Sequence, residues 1–254
     1  MRFAGRTALI TGAGGGIGGA VARAFAVEGA DLGLADIKPV AALADALCGQ
    51  GRRVIDVPTD VTQAVQVQAL VRDSVKALGR IDILVNVAGT VSFGSAESLA
   101  EAEWERVLAV NLKGTFLCCQ AVIGCMRAQK YGRIINIGSI LGKNGGNARP
   151  WIDRAEQAHA ANVAYGVSKA GVHAMTMFLA RELAADGITV NAVAPGPIAS
   201  EMTAGFPQRL RNLIPAGRLG TTDEVAQACL FLAAESSAFI TAEILDVNGG
   251  MWGD

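Results

Sequence analysis

Tyr165 and Lys169 stand one helical turn apart in the run Tyr165-Gly166-Val167-Ser168-Lys169. A spacing of i,i+4 puts both head groups on one helix face, separated by about 6 Å of rise. A free phenol ionises near pH ~10, so a tyrosine that exchanges protons near neutrality needs its pKa lowered by roughly three units. That is about 4 kcal/mol of differential stabilisation, of the size one ammonium and a bound cationic cofactor supply together in a dry site. The chemistry on offer is proton transfer at an oxygen. Alone, the pair equally describes a packed ring with a solvated tip, so the decision rests on what the chain positions around it.

The elements available for that positioning alternate strictly. Short aliphatic runs at Thr7–Thr11, Asp31–Ala35, Arg53–Val57, Asp82–Asn86, Gly132–Gly138, Ile188–Val193 and Ile244–Val247 read as strands. They are nearly continuous in apolar character, as strands buried on both faces are. Alanine-rich amphipathic stretches at 17–28, 39–49, 63–78, 101–128, 163–186 and 222–234 read as helices. Thr62 and Thr222 read as N-caps, and Gly29, Gly79 and Gly187 follow helix ends where a left-handed residue is wanted. The pattern predicts an α/β fold: a doubly wound, parallel, seven-stranded sheet of Rossmann type in a single domain, 1–254.

Directly after the first strand comes Thr11-Gly12-Ala13-Gly14-Gly15-Gly16-Ile17-Gly18-Gly19. Such glycines let the backbone turn tightly and approach a pyrophosphate seated at the helix's positive N-terminus. Gly14, Gly16 and Gly19 fit one register and Gly12, Gly16 and Gly18 another; the strand ending at Thr11 and the helical periodicity starting at Ile17 favour the second. Asp36 closes the second strand, where a carboxylate accepts from the adenosine ribose hydroxyls and repels a 2′-phosphate. Lys38 is the one opposing charge nearby. NAD is therefore expected over NADP.

With these residues in place, the chain resembles the short-chain dehydrogenase/reductase (SDR) family over nearly its whole length. The loop Gly12, Gly14, Gly15, Gly16, Ile17 and Gly18 is similar to the family's cofactor loop, and Asp60-Val61 to the pair that holds the adenine. Asn86-Val87-Ala88-Gly89 resembles the Asn-Asn-Ala-Gly segment, with Val87 replacing the second asparagine. Pro195-Gly196-Pro197-Ile198 resembles the segment that holds the nicotinamide amide, with Ser200 where threonine is usual. The resemblance implies a catalytic set of Asn111, Ser139, Tyr165 and Lys169. In it Tyr165 is the acid/base, Lys169 holds the nicotinamide ribose and lowers the tyrosine pKa, and Ser139 orients the reacting oxygen. Asn111 would interrupt regular helix hydrogen bonding and anchor a water on the proton's route to solvent.

The departure from the family lies between Ser139 and Tyr165, which are twenty-six positions apart with an extra segment within 143–162. Anchored beside the reaction centre, it is expected at the pocket rim, with Asp153 starting a turn or two of helix over Ala155–Ala161. Arg149 and Arg154 are candidate grips for a substrate carboxylate, and Trp151 a candidate wall, weighed against simple surface roles. His159 is expected on a solvated face and His173 in a structural role. The stretch 199–216 fits a lid carrying Met202 and Phe206 as apolar cover. The expected activity is oxidation of a small polar secondary alcohol such as a sugar, polyol or sugar acid. Alternatives are a 3-oxoacyl thioester (acyl-carrier-protein) reductase, which in this family usually needs NADPH and a basic patch, and a non-catalytic dinucleotide-binding protein.

The totals agree with a small-molecule enzyme. The 254 residues are 51% hydrophobic and 18% charged, which excludes a disordered chain. Mean hydropathy is +0.36, yet no uninterrupted apolar run reaches the ~18 residues of a membrane span. The net charge of −1 without a basic cluster argues against nucleic acid. Five cysteines in no metal spacing read as buried, reduced thiols, and two histidines leave no histidine-rich metal site. A strand-like run beginning at Thr7 leaves no room for a signal peptide, so a cytoplasmic location is expected. The helices 101–128 and 163–186 are too apolar for one-sided burial, and the resemblance implies a homotetramer or homodimer formed through them, with Trp252 against a neighbouring subunit.

Overall fold

The computed structural model describes residues 1–146, 151–200 and 203–253. Arg149 and Met202 lie outside the described residues. Seven strands run Thr7–Thr11 (β1), Asp31–Asp36 (β2), Val54–Pro58 (β3), Ile83–Asn86 (β4), Gly132–Ile137 (β5), Ile188–Pro195 (β6) and Ile244–Val247 (β7). They form one sheet in the order β3-β2-β1-β4-β5-β6-β7, and every neighbouring pair is parallel. β1, β4, β5 and β6 are buried at every position, as strands covered on both faces must be.

Helices cover both faces. Gly16–Val27 (α1), Ala41–Cys48 (α2) and Thr222–Ala233 (α10) pack on one side, where Phe25, Ile10, Leu32 and Leu230 share a core. Ala64–Leu78 (α3), Glu101–Leu108 (α4), Thr115–Gln129 (α5) and Val163–Leu183 (α8) cover the other, around Leu9, Leu84, Val122, Met126 and Ile134. Short helices Leu141–Asn144 (α6), Arg154–Ala160 (α7) and Gln208–Arg211 (α9) occupy the region after β5 and the loop after β6. Strand order reverses at β1, between β2 and β4, so the crevice beyond the C-terminal strand ends opens there.

Local signals behaved unevenly. Gly29, Gly79 and Gly187 adopt φ of +95°, +87° and +75° at their helix ends, as expected. The N-caps differ by one residue. Thr62 donates its hydroxyl to Asp60 at 2.8 Å, so α3 starts after Gln63 with no side-chain cap. Thr221, not Thr222, caps α10 in a reciprocal pair with Glu224. Cys118, Cys119 and Cys229 are buried and Cys125 partly so, but Cys48 at the end of α2 is exposed. The helical run Glu101–Gln129 does contain an 18-residue window with a mean hydropathy of 1.5. One face of this run, with Val107, Cys118, Cys119, Val122 and Met126, packs into the core, while Phe116 on it is exposed.

Candidate active site

The C-terminal ends of β1, β2, β4, β5 and β6 carry the chemistry-bearing side chains. After β1 the chain turns at Gly12 with φ +67°, where a Cβ would fall 2.7 Å from the Ala88 backbone nitrogen. At Gly18 a Cβ would fall 2.0 Å from the Gly12 carbonyl oxygen. Gly14 and Gly19 first meet side-chain atoms, at 3.1 Å, and Gly16, common to both registers, has space to 3.4 Å, so Gly12 and Gly18 are the positions that sterically distinguish the second register. α1 begins at Gly16 without a side-chain cap and without an acidic residue in its first turn. That leaves its positive N-terminus open to an anion. Asp36 reaches back from β2 and accepts the Gly14 N–H at 3.0 Å, binding the ribose-reading position to the loop. Thr11, at the end of β1, accepts the Val87 and Ala88 N–H groups at 3.2 and 3.3 Å and ties β4's exit to the glycine loop. These features fit a dinucleotide: a backbone cradle closed to side chains at Gly12 and Gly18, an uncapped helix and a carboxylate at the second strand's end.

The expected neighbours of such a group divide in two. Ala88 and Gly89 lie at the crevice, and a Cβ at Gly89 would touch Asn111 Oδ1 at 3.4 Å and Lys169 Nζ at 3.6 Å. Ser200 lies over the glycine loop, its Cβ 3.8 Å from where a Gly16 Cβ would be. Pro195 ends β6, a Cβ at Gly196 would fall 2.9 Å from Asn248 Cα, and Ile198 pairs with Gly220 and is buried. Asn86 is different: its side chain points into the protein, donating to Asn136 Oδ1 at 2.9 Å, while Asn136 donates to Thr176 at 2.9 Å. Val61 packs inward against Gly114, and Asp60 Oδ1 takes the Thr62 N–H at 2.9 Å.

The helical run from Glu101 to Gln129 is broken between α4 and α5 by a π-helical turn, Ala109–Gly114. Asn111 sits within it, fully buried. Its Oδ1 accepts the Thr90 N–H at 2.7 Å, and its Nδ2 donates to the Thr90 carbonyl and to Ser168 Oγ, each at 2.9 Å. Thr115 Oγ1 donates to the Asn111 carbonyl at 2.7 Å, taking the place of a regular helical N–H. Ser168 Oγ donates in turn to the Tyr165 carbonyl at 2.7 Å. Asn111 thus braces the β4–α4 loop against the helix that carries Tyr165. With its side chain committed, any water it holds must use its carbonyl.

α8 presents Tyr165 and Lys169 toward Ser139, just past β5. The Ser139 side chain stands beside the Tyr165 phenol, and Ser139 Oγ accepts the Leu141 N–H at 3.2 Å. Lys169 Nζ donates to the Ile137 carbonyl at 2.7 Å and stands 5.7 Å from the Tyr165 ring centroid. Burial pushes the Tyr165 phenol above its ordinary value, with the Ser139 hydrogen bond acting in the opposite direction. Burial also brings the Lys169 ammonium down to about 8. The expected lowering of the tyrosine pKa by lysine is therefore not what this geometry produces. Burial dominates at the phenol, and the Lys169 ammonium is turned to the Ile137 carbonyl.

The segment after β5 forms α7, capped by Asp153, whose side chain accepts the Glu156 N–H at 2.8 Å. It is held at two places: Asn162 pairs with Gly94 in the β4–α4 loop, and Glu156 forms an ion pair with Arg209 of α9. Trp151 and Arg154 are exposed on this segment. His159 is exposed on α7, and His173 is buried on α8. Thr11, Thr90, Thr115 and Ser168 carry much of the site's bracing; Thr11 opens the glycine loop and Ser168 stands between Tyr165 and Lys169, whereas Thr90 and Thr115 lie outside every motif read in the sequence.

Over residues 12–252 the chain matches a family model described as Enoyl-(Acyl carrier protein) reductase. It is 41% identical over 256 residues to the (2S)-[(R)-hydroxy(phenyl)methyl]succinyl-CoA dehydrogenase subunit BbsD of Thauera aromatica, covering 98% of each chain. It is 38% identical over 257 residues to the 3-oxoacyl-[acyl-carrier-protein] reductase FabG of Thermotoga maritima, and 38% over 260 residues to that of Escherichia coli K12. Each of these alignments covers 99% of both chains.

Proposed function

Because the chain belongs to the short-chain dehydrogenase/reductase family, we propose that it interconverts 3-hydroxyacyl and 3-oxoacyl thioesters, using NAD in preference to NADP. The observation that carries the chemistry is the Ser139 hydroxyl standing beside the Tyr165 phenol, next to a buried lysine. Two hydroxyls converging on one point suit a carbonyl or alcohol oxygen. A bound nicotinamide supplies or takes up the hydride at the carbon bearing that oxygen. Tyr165 delivers the proton to the oxygen or removes it, and Ser139 donates to the same oxygen. A phenol raised above its ordinary range is protonated near neutrality, which suits proton donation in the reducing direction. Lys169 and Gly89 would hold the cofactor's ribose end, the glycine loop its phosphates, and Asp36 the adenosine ribose.

The thioester assignment is supported by the relatives' names, which specify a dehydrogenase of a hydroxy(phenyl)methyl-substituted succinyl-CoA and 3-oxoacyl carrier-protein reductases. The small polar substrate has weaker support, since it leaned on arginines of which Arg154 is exposed at the start of α7. Asp36 at the loop supports NAD, because its charge opposes a 2′-phosphate. The apolar groove lined by Trp104, Leu108, Leu112, Phe116 and Met175 supports a subunit contact along α4, α5 and α8. Light scattering is expected to give a dimer or tetramer mass. The test of function is a panel of acetoacetyl-CoA, crotonyl-CoA, sugars, polyols and aldonic acids with NADH/NAD and NADPH/NADP. Turnover of acetoacetyl-CoA with NADH is expected, and turnover confined to crotonyl-CoA or to the sugars would overturn the reading.

A further inference from the structure

His173 lies on α8 four residues after Lys169 and eight after Tyr165, on the same face. It is 6% exposed. Its Nε2 accepts the Ser139 backbone N–H at 3.3 Å. The exit of β5 is therefore gripped by one helix on both sides of Gly138: Lys169 Nζ takes the Ile137 carbonyl, and His173 Nε2 takes the Ser139 amide. The chain leaves space for this ring and little else. A Cβ at Gly138 would fall 2.1 Å from His173 Nε2, and one at Gly142 would fall 2.7 Å from the Ala170 backbone nitrogen of α8 and 3.0 Å from His173 Cε1. The loop from Gly138 to Gly142 is thus shaped around the imidazole, with Ser139 between the two glycines.

We propose that His173 is a positioning residue for Ser139. By holding the serine's amide from the helix that also bears Tyr165, it sets the Ser139 hydroxyl in register with the phenol. The two hydroxyls that address the reacting oxygen are then referenced to one rigid element instead of to a loop. Accepting at Nε2 requires that this nitrogen be bare, so the ring's proton resides on Nδ1. The inference rests on the reading that Ser139 and Tyr165 are the reacting pair, while the tautomer can be tested without any substrate.

The chain has two histidines, so long-range 15N–1H spectra of the histidine-labelled, cofactor-free protein resolve both rings, with His159 identified by its loss in His159→Gln. The expected spectrum has His173 protonated on Nδ1; a proton on Nε2 overturns the proposal. In kinetics, His173→Leu removes the acceptor and His173→Gln keeps one at similar reach. The leucine variant is expected to lose about 10- to 100-fold in kcat with the KM for NADH unchanged, since only the oxygen-binding serine is displaced. The glutamine variant is expected to recover most of that loss. A leucine variant with unaltered kcat, or a glutamine variant no better than leucine, refutes the role. Should the leucine variant not fold, the tautomer in the unsubstituted protein decides. Absence of thioester turnover by the unsubstituted protein would instead count against the functional reading.

Discussion

Replacing Lys169 by methionine is expected to change how stability depends on pH. The ammonium is buried, and desolvation brings it from an ordinary 10.5 to about 8. That displacement corresponds to about 3 kcal/mol against the charged form in the folded state. The unfolded chain keeps this proton to near 10.5, whereas the folded chain releases it near 8. Between those values the unfolded state binds more protons, so stability rises with pH across the window, and the full cost is borne below 8. Methionine has no such dependence. It does lose the 2.7 Å bond to the Ile137 carbonyl, at a cost of about 1–3 kcal/mol at any pH. At pH 7 the two losses nearly cancel, and Lys169→Met should be as stable as the parent or up to about 2 kcal/mol more so. Near pH 10.5 the variant should be the less stable by roughly the cost of the hydrogen bond alone. Urea unfolding of both cofactor-free proteins, at matched pH values across this range, measures the difference, and all other titrating groups cancel from it. A difference that stays flat with pH would refute the reasoning, because it would mean the lysine keeps its ordinary hydration inside the fold.

Three further outcomes follow from the geometry. Tyr165→Phe removes the proton donor while leaving the ring in place, and turnover should fall by about 10²–10⁴ with NADH affinity retained, as read by stopped-flow and fluorescence titration. Gly18→Ala drives a methyl to 2.0 Å from the Gly12 carbonyl and should abolish NADH binding, whereas Gly15→Ala, whose nearest atom is at 3.5 Å, should bind nearly as the parent does; equal affinities would show that the loop is not the cradle. Glu156→Ala cuts the link between the segment after β5 and α9; the pair is open to solvent on its Arg209 side and contributes about 1 kcal/mol, so substrate KM should rise by about fivefold with kcat unchanged, and a fall in kcat would give the pair a different role.

What could be read from the chain follows from how local each signal is. The seven strands of a parallel, doubly wound sheet, the glycine register and the Tyr165–Lys169 helix were legible because each rests on contiguous apolar periodicity or on spacing within one element. The direction of Asn86 was not, because its outcome depends on Asn136 and Thr176, fifty and ninety positions away, which draw the amide inward. The caps were misplaced by one residue because Thr62 and Thr222 each adjoin a competing partner: Asp60 takes the first, and Glu224 pairs with the neighbouring Thr221. The grip of His173 on Ser139 joins residues thirty-four positions apart, and it shows in sequence only as two glycines that have no turn to explain them. The raised phenol and lowered ammonium reflect how deeply α8 is buried, a property of packing that a two-residue spacing does not carry.

The π-helical turn around Asn111 gives this enzyme an unusual relation to insertion and deletion. A π turn holds one residue more than the α-helical path it replaces, so deleting one residue within 109–114 would let α4 and α5 join as a continuous α-helix. Such a helix would be better hydrogen bonded than the present one. Because the turn absorbs its extra residue locally, the helices on either side would keep their facing, and what would be lost is the bulge from which Asn111 reaches Thr90 and Ser168. Backbone regularity and a working site are therefore alternatives at this position, one residue apart.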